Sequence, residues 1–366
     1  MYEAYHSGRR RLSLRGIFTL VALLAVLCAA VLVLVLRSGS DPVSQVMELP
    51  FTSEMQYGFT DDGFLYIEGN TLHLCDKRGN EKSALELSGS GYSIATSPTI
   101  AAIYTDTAMQ AIGKEGEALF PSQEFTGTVR EVRCGKNYIA VLKNDISGTD
   151  MIYIYDLTGK RLDILSLEGN FLLEYGFYSD KDNLWTLAPN TEGATPACTA
   201  TTFNTGQSMT GIMTMEGQII ERLEFTSSNI YACATNHLVS YSMTGKEEQK
   251  KLIYGWKVLD FANLSKAPFL MAVRTDSLSA PASAAAKVLT LPDEKEYSFR
   301  LPAGTLGAYI IGEKIYAVTG TTLITYDLQG VKQKEAALPF TAEAASREGN
   351  GILLRTGTQM YLLPLG

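Results

Sequence analysis

With 366 residues, a net charge of −8, 46% hydrophobic and 10% aromatic content, the chain has ordinary globular composition and ample length for a large core. Its first 36 residues hold four Arg and one Glu, so the remainder carries −11. That acidic balance argues against nucleic acid or anionic lipid as the main partner.

The chain opens on a basic tail, residues 1–15, with Arg9, Arg10, Arg11 and Arg15 close to an apolar run. Residues 16–36 read GIFTLVALLAVLCAAVLVLVL, with Thr19 the one polar side chain. At about 1.5 Å per residue this run reaches about 30 Å, the hydrocarbon thickness of a bilayer, where a helix satisfies its own backbone groups. Arg37 alone follows closely. The positive-inside bias therefore predicts one transmembrane helix, a cytoplasmic N-terminus and an extracytoplasmic remainder.

A cleaved signal peptide would instead show an apolar core of about 7–15 residues ending in small residues. Here the run continues through Val31–Leu36 past Cys28-Ala29-Ala30, which favours an uncleaved anchor. Leu27 is too bulky to precede a lipidated cysteine, so Cys28 reads as a small lipid-facing residue. Residues 37–42 are a polar linker that gives the outer domain little reach from the bilayer.

Beyond the linker the informative stretch is Met151–Lys160, MIYIYDLTGK. Ile152 and Ile154 alternate with Tyr153 and Tyr155, the period of a half-buried strand. Asp156-Leu157-Thr158-Gly159 then reads as a tight turn, since Asp bonds nearby backbone and Gly accepts positive φ. The second run, Arg161–Leu167, returns as the other arm of a hairpin.

The unit recurs. One set of strands begins GFLYIEG (63–69), TIAAIYT (99–105) and NYIAVLKN (137–144), and runs on to GILLRTGT (351–358). A second set begins TLHLCDKRG (71–79), AMQAIGKEG (108–116) and MIYIYDLTG (151–159), and runs on to QMYLLPLG (359–366). Glycines close the second set at 79, 116, 159, 206, 245 and 330, at steps of 37, 43, 47, 39 and then 85 residues. A period of about 40 with four short strands per unit is that of a β-propeller blade.

The last unit stops after its third strand, while Val43–Phe51 has no unit of its own. Its ELPF resembles ALPF at 337–340, which stands at a fourth-strand position. The sequence thus predicts an all-β fold over 43–366: a β-propeller of eight blades, with seven as the alternative, closed by strand 43–51. Strand boundaries are ambiguous across Asn190–Gly217, and Ser277–Ala286 reads as an inserted low-complexity loop.

The turns Asp156–Lys160 (DLTGK) and Asp327–Val331 (DLQGV), with Gly159 and Gly330 at equivalent places, resemble those of quinoprotein-like and WD-type propeller repeats. Together with the Arg-flanked apolar span, the whole chain resembles a family of single-span, membrane-anchored extracytoplasmic β-propellers of anaerobic Gram-positive bacteria. That resemblance implies an extracytoplasmic domain and supplies no catalytic residues. The tryptophan docking pattern of quinone enzymes is missing, since Trp185 and Trp256 follow no TGK turn. No cofactor is expected.

Other candidates weigh towards structure. His73 and His237 lie in equivalent strands of different blades, away from any metal-ligand spacing, and His6 is in the tail. Cys75, Cys134, Cys198 and Cys233 fall in four blades and read as buried free thiols rather than disulfides. Asp61-Asp62, Asp180-Lys181-Asp182 and Asp293-Glu294 stand in turn-like contexts, where Asp bonds local backbone. Tyrosines such as Tyr66, Tyr104, Tyr138, Tyr153, Tyr155 and Tyr231 fall in repeat strands and are expected to fill the wedge between blades.

Three functions remain open. The first is a binding scaffold at the outer membrane surface that engages an envelope protein or wall polymer through its loops. The second is an envelope glycan- or peptide-processing enzyme with carboxylates at the central channel. The third is a sensor acting through the short cytoplasmic tail.

Overall fold

The alternation in Met151–Lys160 is realised as strand Asp150–Asp156, turning at Gly159 into strand Arg161–Ser166. In the computed structural model the same unit repeats around a ring. The structure describes residues 42–365 apart from 145–147, 168–170, 191–193, 207, 278–282 and 292–294. The basic tail and the apolar span 16–36 lie outside the described residues, as does Asp293-Glu294.

Eight four-stranded antiparallel sheets form the ring. In chain order they span 57–86, 93–124, 128–166, 174–216, 220–252, 256–301 and 305–337, here blades 1 to 7. Blade 8 holds Ala344–Glu348, Gly351–Thr356 and Gln359–Pro364, and takes Met47–Thr52 as its outer strand. The ring is therefore eight-bladed and sealed by the N-terminal strand.

Both repeat sets fall where the pattern puts them, as second and third strands, and the ambiguous stretch of blade 4 resolves into Ala197–Phe203 and Met209–Glu216. The sealing strand is shorter at its start than 43–51, because Pro42–Gln45 forms a 3₁₀ turn first. Pro50 stands on the outermost strand, where the ladder register shifts between Glu48 and Thr52. A proline there removes no donor that a neighbour needs. The outer strand of blade 7 ends at Ala337, short of Phe340, since Pro339 offers no N–H to continue the ladder.

The core is eight small cores, one at each interface between blades. Leu65, Leu72, Ala101 and Ile103 join blades 1 and 2, and Met271, Val288, Ile310 and Ile324 join blades 6 and 7. At the closing interface Leu49 and Phe51 of the sealing strand pack with Leu353, Met360, Phe64 and Tyr66. Phe51 stacks on Tyr57 at 4.6 Å and meets Phe64 edge-on at 5.6 Å. Outer strands elsewhere are mostly exposed, as in Lys332–Ala337, whereas Phe51 is fully buried. The extra apolar area holds the sealing strand in place beside Gln359–Pro364, to which only ladder bonds and packing tie it.

Two faces of the ring differ in kind. One, the turn face, carries the turns between first and second strands and between third and outer strands. The other, the linker face, carries the second-to-third turns and the links between blades. Met47 pairs with Leu362 and Thr52 with Gln359, so the chain comes into the ring at residue 42 on the turn face.

Candidate functional site

First strands of neighbouring blades touch, as Tyr57–Thr60 meets Ser93–Thr96 and Trp256–Asn263 meets Thr305–Ile311. They surround the central channel, and its two halves differ.

Across blades 5 to 8 the channel-side strands are tied by charge. Asp260 of blade 6, 3% exposed, receives the Arg347 guanidinium from blade 8 at 3.1 and 3.2 Å and the backbone N–H of Ile310 from blade 7 at 2.6 Å. Arg222 of blade 5 pairs with Glu224, lies 3.8 Å from Asp260 and donates to the Leu259 carbonyl at 3.3 Å. Burial raises the Glu224 pKa, and the Arg222 charge opposes that rise. A buried carboxylate needs such partners, because desolvation alone would neutralise it.

Across blades 2 to 4 the channel holds an open volume of about 520 Å³. Glu131 and Arg133 pair there at 2.6 Å, Tyr175 donates to the Glu131 carbonyl at 3.1 Å, and Glu174 and Trp185 line the wall. A second depression of about 440 Å³ opens on the turn face where blades 8, 1 and 2 meet, with Asp61 and Glu348 among its walls.

The turn residues anticipated from the repeat behave alike. Asp156 accepts from the Thr158 N–H at 2.9 Å and the Lys160 N–H at 3.0 Å; Asp327 accepts from Gln329 at 3.0 Å and Val331 at 2.9 Å. These bonds hold both carboxylates, and that of Asp156 lies below the usual range, first through the Thr158 hydroxyl. Gly159 and Gly330 sit at φ +79° and +80°, each against the preceding blade. A Cβ at Gly330 would lie 2.5 Å from Phe299, and one at Gly159 2.9 Å from Phe120.

His73 pairs with Glu81 at 2.6 Å and stacks on Tyr66; His237 bonds Gln218 at 3.1 Å. The four cysteines are unpaired thiols in four blades. Tyr66, Tyr155 and Tyr231 are buried at blade interfaces, while Tyr104, Tyr138 and Tyr153 are half-buried beside them.

Asp182 departs from a plain turn role. Buried, and at φ +51°, it accepts from the backbone N–H groups of Lys136 at 2.7 Å, Tyr138 at 3.1 Å and Asn137, all in blade 3. Asp180 holds Lys136 Nζ at 2.6 Å. The pair clamps one blade's turn to the next. Sequence reasoning also missed Asp260, Arg347 and Glu348; a carboxylate among the apolar residues of Trp256–Asn263 is the signal for Asp260, and the short strand Ala344–Glu348 offers none for the other two.

Solved structures share the ring. The chain resembles BamB from Moraxella catarrhalis (TM-score 0.53, 13% identity, 87% of this chain and 96% of that one). It also resembles the WD40 domain of SCAP from fission yeast (0.59, 8%, 88% and 98%) and the C-terminal WD40 domain of Sif2 (0.58, 10%, 87% and 97%). At such identities the likeness is one of fold. No protein-family model and no curated protein matches the chain.

Proposed function

We propose that this protein is a membrane-anchored extracytoplasmic scaffold that binds an envelope protein or wall polymer through the linker face of its propeller. The observation that carries the reading is a patch on that face of blades 4 and 5. Phe171, Leu173, Ile219, Leu252 and Tyr254 are 47 to 74% exposed there. Bonds from Thr235 to the Ile219 carbonyl and from Ile253 to the Asn236 carbonyl hold both ends of blade 5 around one turn. Exposed large apolar residues gathered on one face mark interaction sites.

Orientation supports it. The chain comes into the ring on the opposite face, so a span at 16–36 with Arg9, Arg10, Arg11 and Arg15 inside would leave the patch pointing away from the bilayer. The enzyme reading is weaker, because Glu224, Asp260 and Glu131 are each already held by an arginine. The test is cross-linked capture from envelope extracts with full-length chain, native against Ile219→Asp/Tyr254→Asp. A species retrieved by the native chain and lost from the variant is expected; equal retrieval would refute the patch.

A further inference from the structure

We propose that the depression at blades 8, 1 and 2 binds a primary ammonium group on a short apolar stem, with Glu348 as its counter-ion. At about 440 Å³ it lies within the usual size of small-molecule sites, about 300–1,000 Å³. Phe59, Phe64, Pro98 and Leu362 supply apolar wall, and Glu348 and Asp61 supply negative charge. The inference rests on this cavity, and stands whether or not residues 16–36 span a bilayer.

Glu348 ends the first strand of blade 8 and is half-buried. Its neighbour Arg347 faces the other way, towards Asp260. Among the described residues no cation and no hydrogen-bond donor reaches the Glu348 carboxylate. Burial raises its pKa, and its charge adds to the burial that raises the Tyr57 pKa. An unmatched carboxylate in such a place makes the fold less stable at neutral pH than an uncharged amide would. The hairpin gives no reason for it, since the turn at Gly349-Asn350 needs no acid before it. A bound cation removes the penalty.

The stem follows from the walls. Two acids with aromatic and proline surface suit an alkylammonium better than a bare metal ion, and no group of three metal-ligating side chains occurs among the described residues. Asp61 is fixed by its own N–H, which donates to the Pro98 carbonyl at 2.7 Å. Lys77, which also lines the depression, disfavours a second positive charge. The ligand therefore presents a single ammonium group, from a soluble amine or from an aminated lipid headgroup.

The experiment titrates full-length chain in neutral detergent with Nα-acetyl-lysine amide and with its uncharged isostere, Nα-acetyl-norleucine amide. Dihexanoyl phosphatidylethanolamine and its phosphatidylcholine counterpart form the second arm. An ammonium probe should bind at least about tenfold more tightly than its control, a ratio of the size charge-assisted hydrogen bonds provide. Whichever arm binds identifies the source. Glu348→Gln should lose that preference while melting at or above the native temperature, and Asp61→Asn should weaken binding less. Equal affinity for each primary ammonium probe and its control, retained preference in Glu348→Gln, or no binding in either arm at millimolar probe overturns the proposal.

Discussion

The Asp260 carboxylate of blade 6 holds the Arg347 guanidinium of blade 8 at 3.1 Å, reaching past blade 7, whose Ile310 N–H it also accepts. One buried anion thereby links three blades near the channel. Removing one partner of a buried pair costs about 3–5 kcal/mol, because the other loses its compensation. Arg347 is one-third exposed, so the low end applies. Asp260→Ala should lower unfolding stability by about 3 kcal/mol in urea, and Asp260→Ala/Arg347→Met by less than the sum of the single changes.

Ring closure uses Phe51 as well as the ladder bonds of Met47–Thr52 to Gln359–Pro364. Fully buried against Tyr57, Phe64 and Tyr66, it should cost about 3–5 kcal/mol when changed to alanine. Thermal melting of chains starting at residue 37 and at residue 53 extends the test. The shorter chain should melt at a distinctly lower temperature, and coincident curves would contradict a sealed ring.

Two glycines with the same backbone separate strain from crowding. Gly206 (φ +74°) has open space where a side chain would go, whereas Gly330 (φ +80°) faces Phe299 at 2.5 Å. Gly206→Ala should cost about 1–2 kcal/mol from left-handed backbone alone. Gly330→Ala should cost clearly more, since Phe299 must also move. Chemical denaturation of both variants makes the comparison.

Burial pushes the Cys134 and Cys233 thiols from the ordinary 9.0 to about 12. The folded chain should resist iodoacetamide at pH 8 at the buried Cys233 and react there fully once unfolded, as mass spectrometry will show. A thiol whose folded pKa is raised favours the folded state below the unfolded value. Stability should therefore hold up to about pH 9 and decline as pH rises from there towards 12.

The second and third strands of each blade were legible because their signals are local: alternation, an Asp-led turn and a closing glycine. First strands were not, since besides pairing within their own blade they pack against first strands of neighbouring blades. Asp260 breaks the apolar pattern of its own segment, Arg347 and Glu348 end a small polar one, and only the ring supplies the reason. Asp182 shows the same limit. Local turn chemistry expects its carboxylate on nearby backbone, yet it reaches 44 to 46 residues back to cap another turn. The apolar patch of blades 4 and 5 gave no sequence signal either, because its residues come from three separate links between blades and the end of one outer strand.

The seam between the first and last segments also sets the order of assembly. Met47–Thr52 is made early, but its partner Gln359–Pro364 is the last of the ring's own strands to be made. Until then the nascent domain is an unfinished arc with two raw ends, each able to pair with a foreign strand. Synthesis that halts before Gln359 yields no smaller ring, only a chain with an adhesive edge.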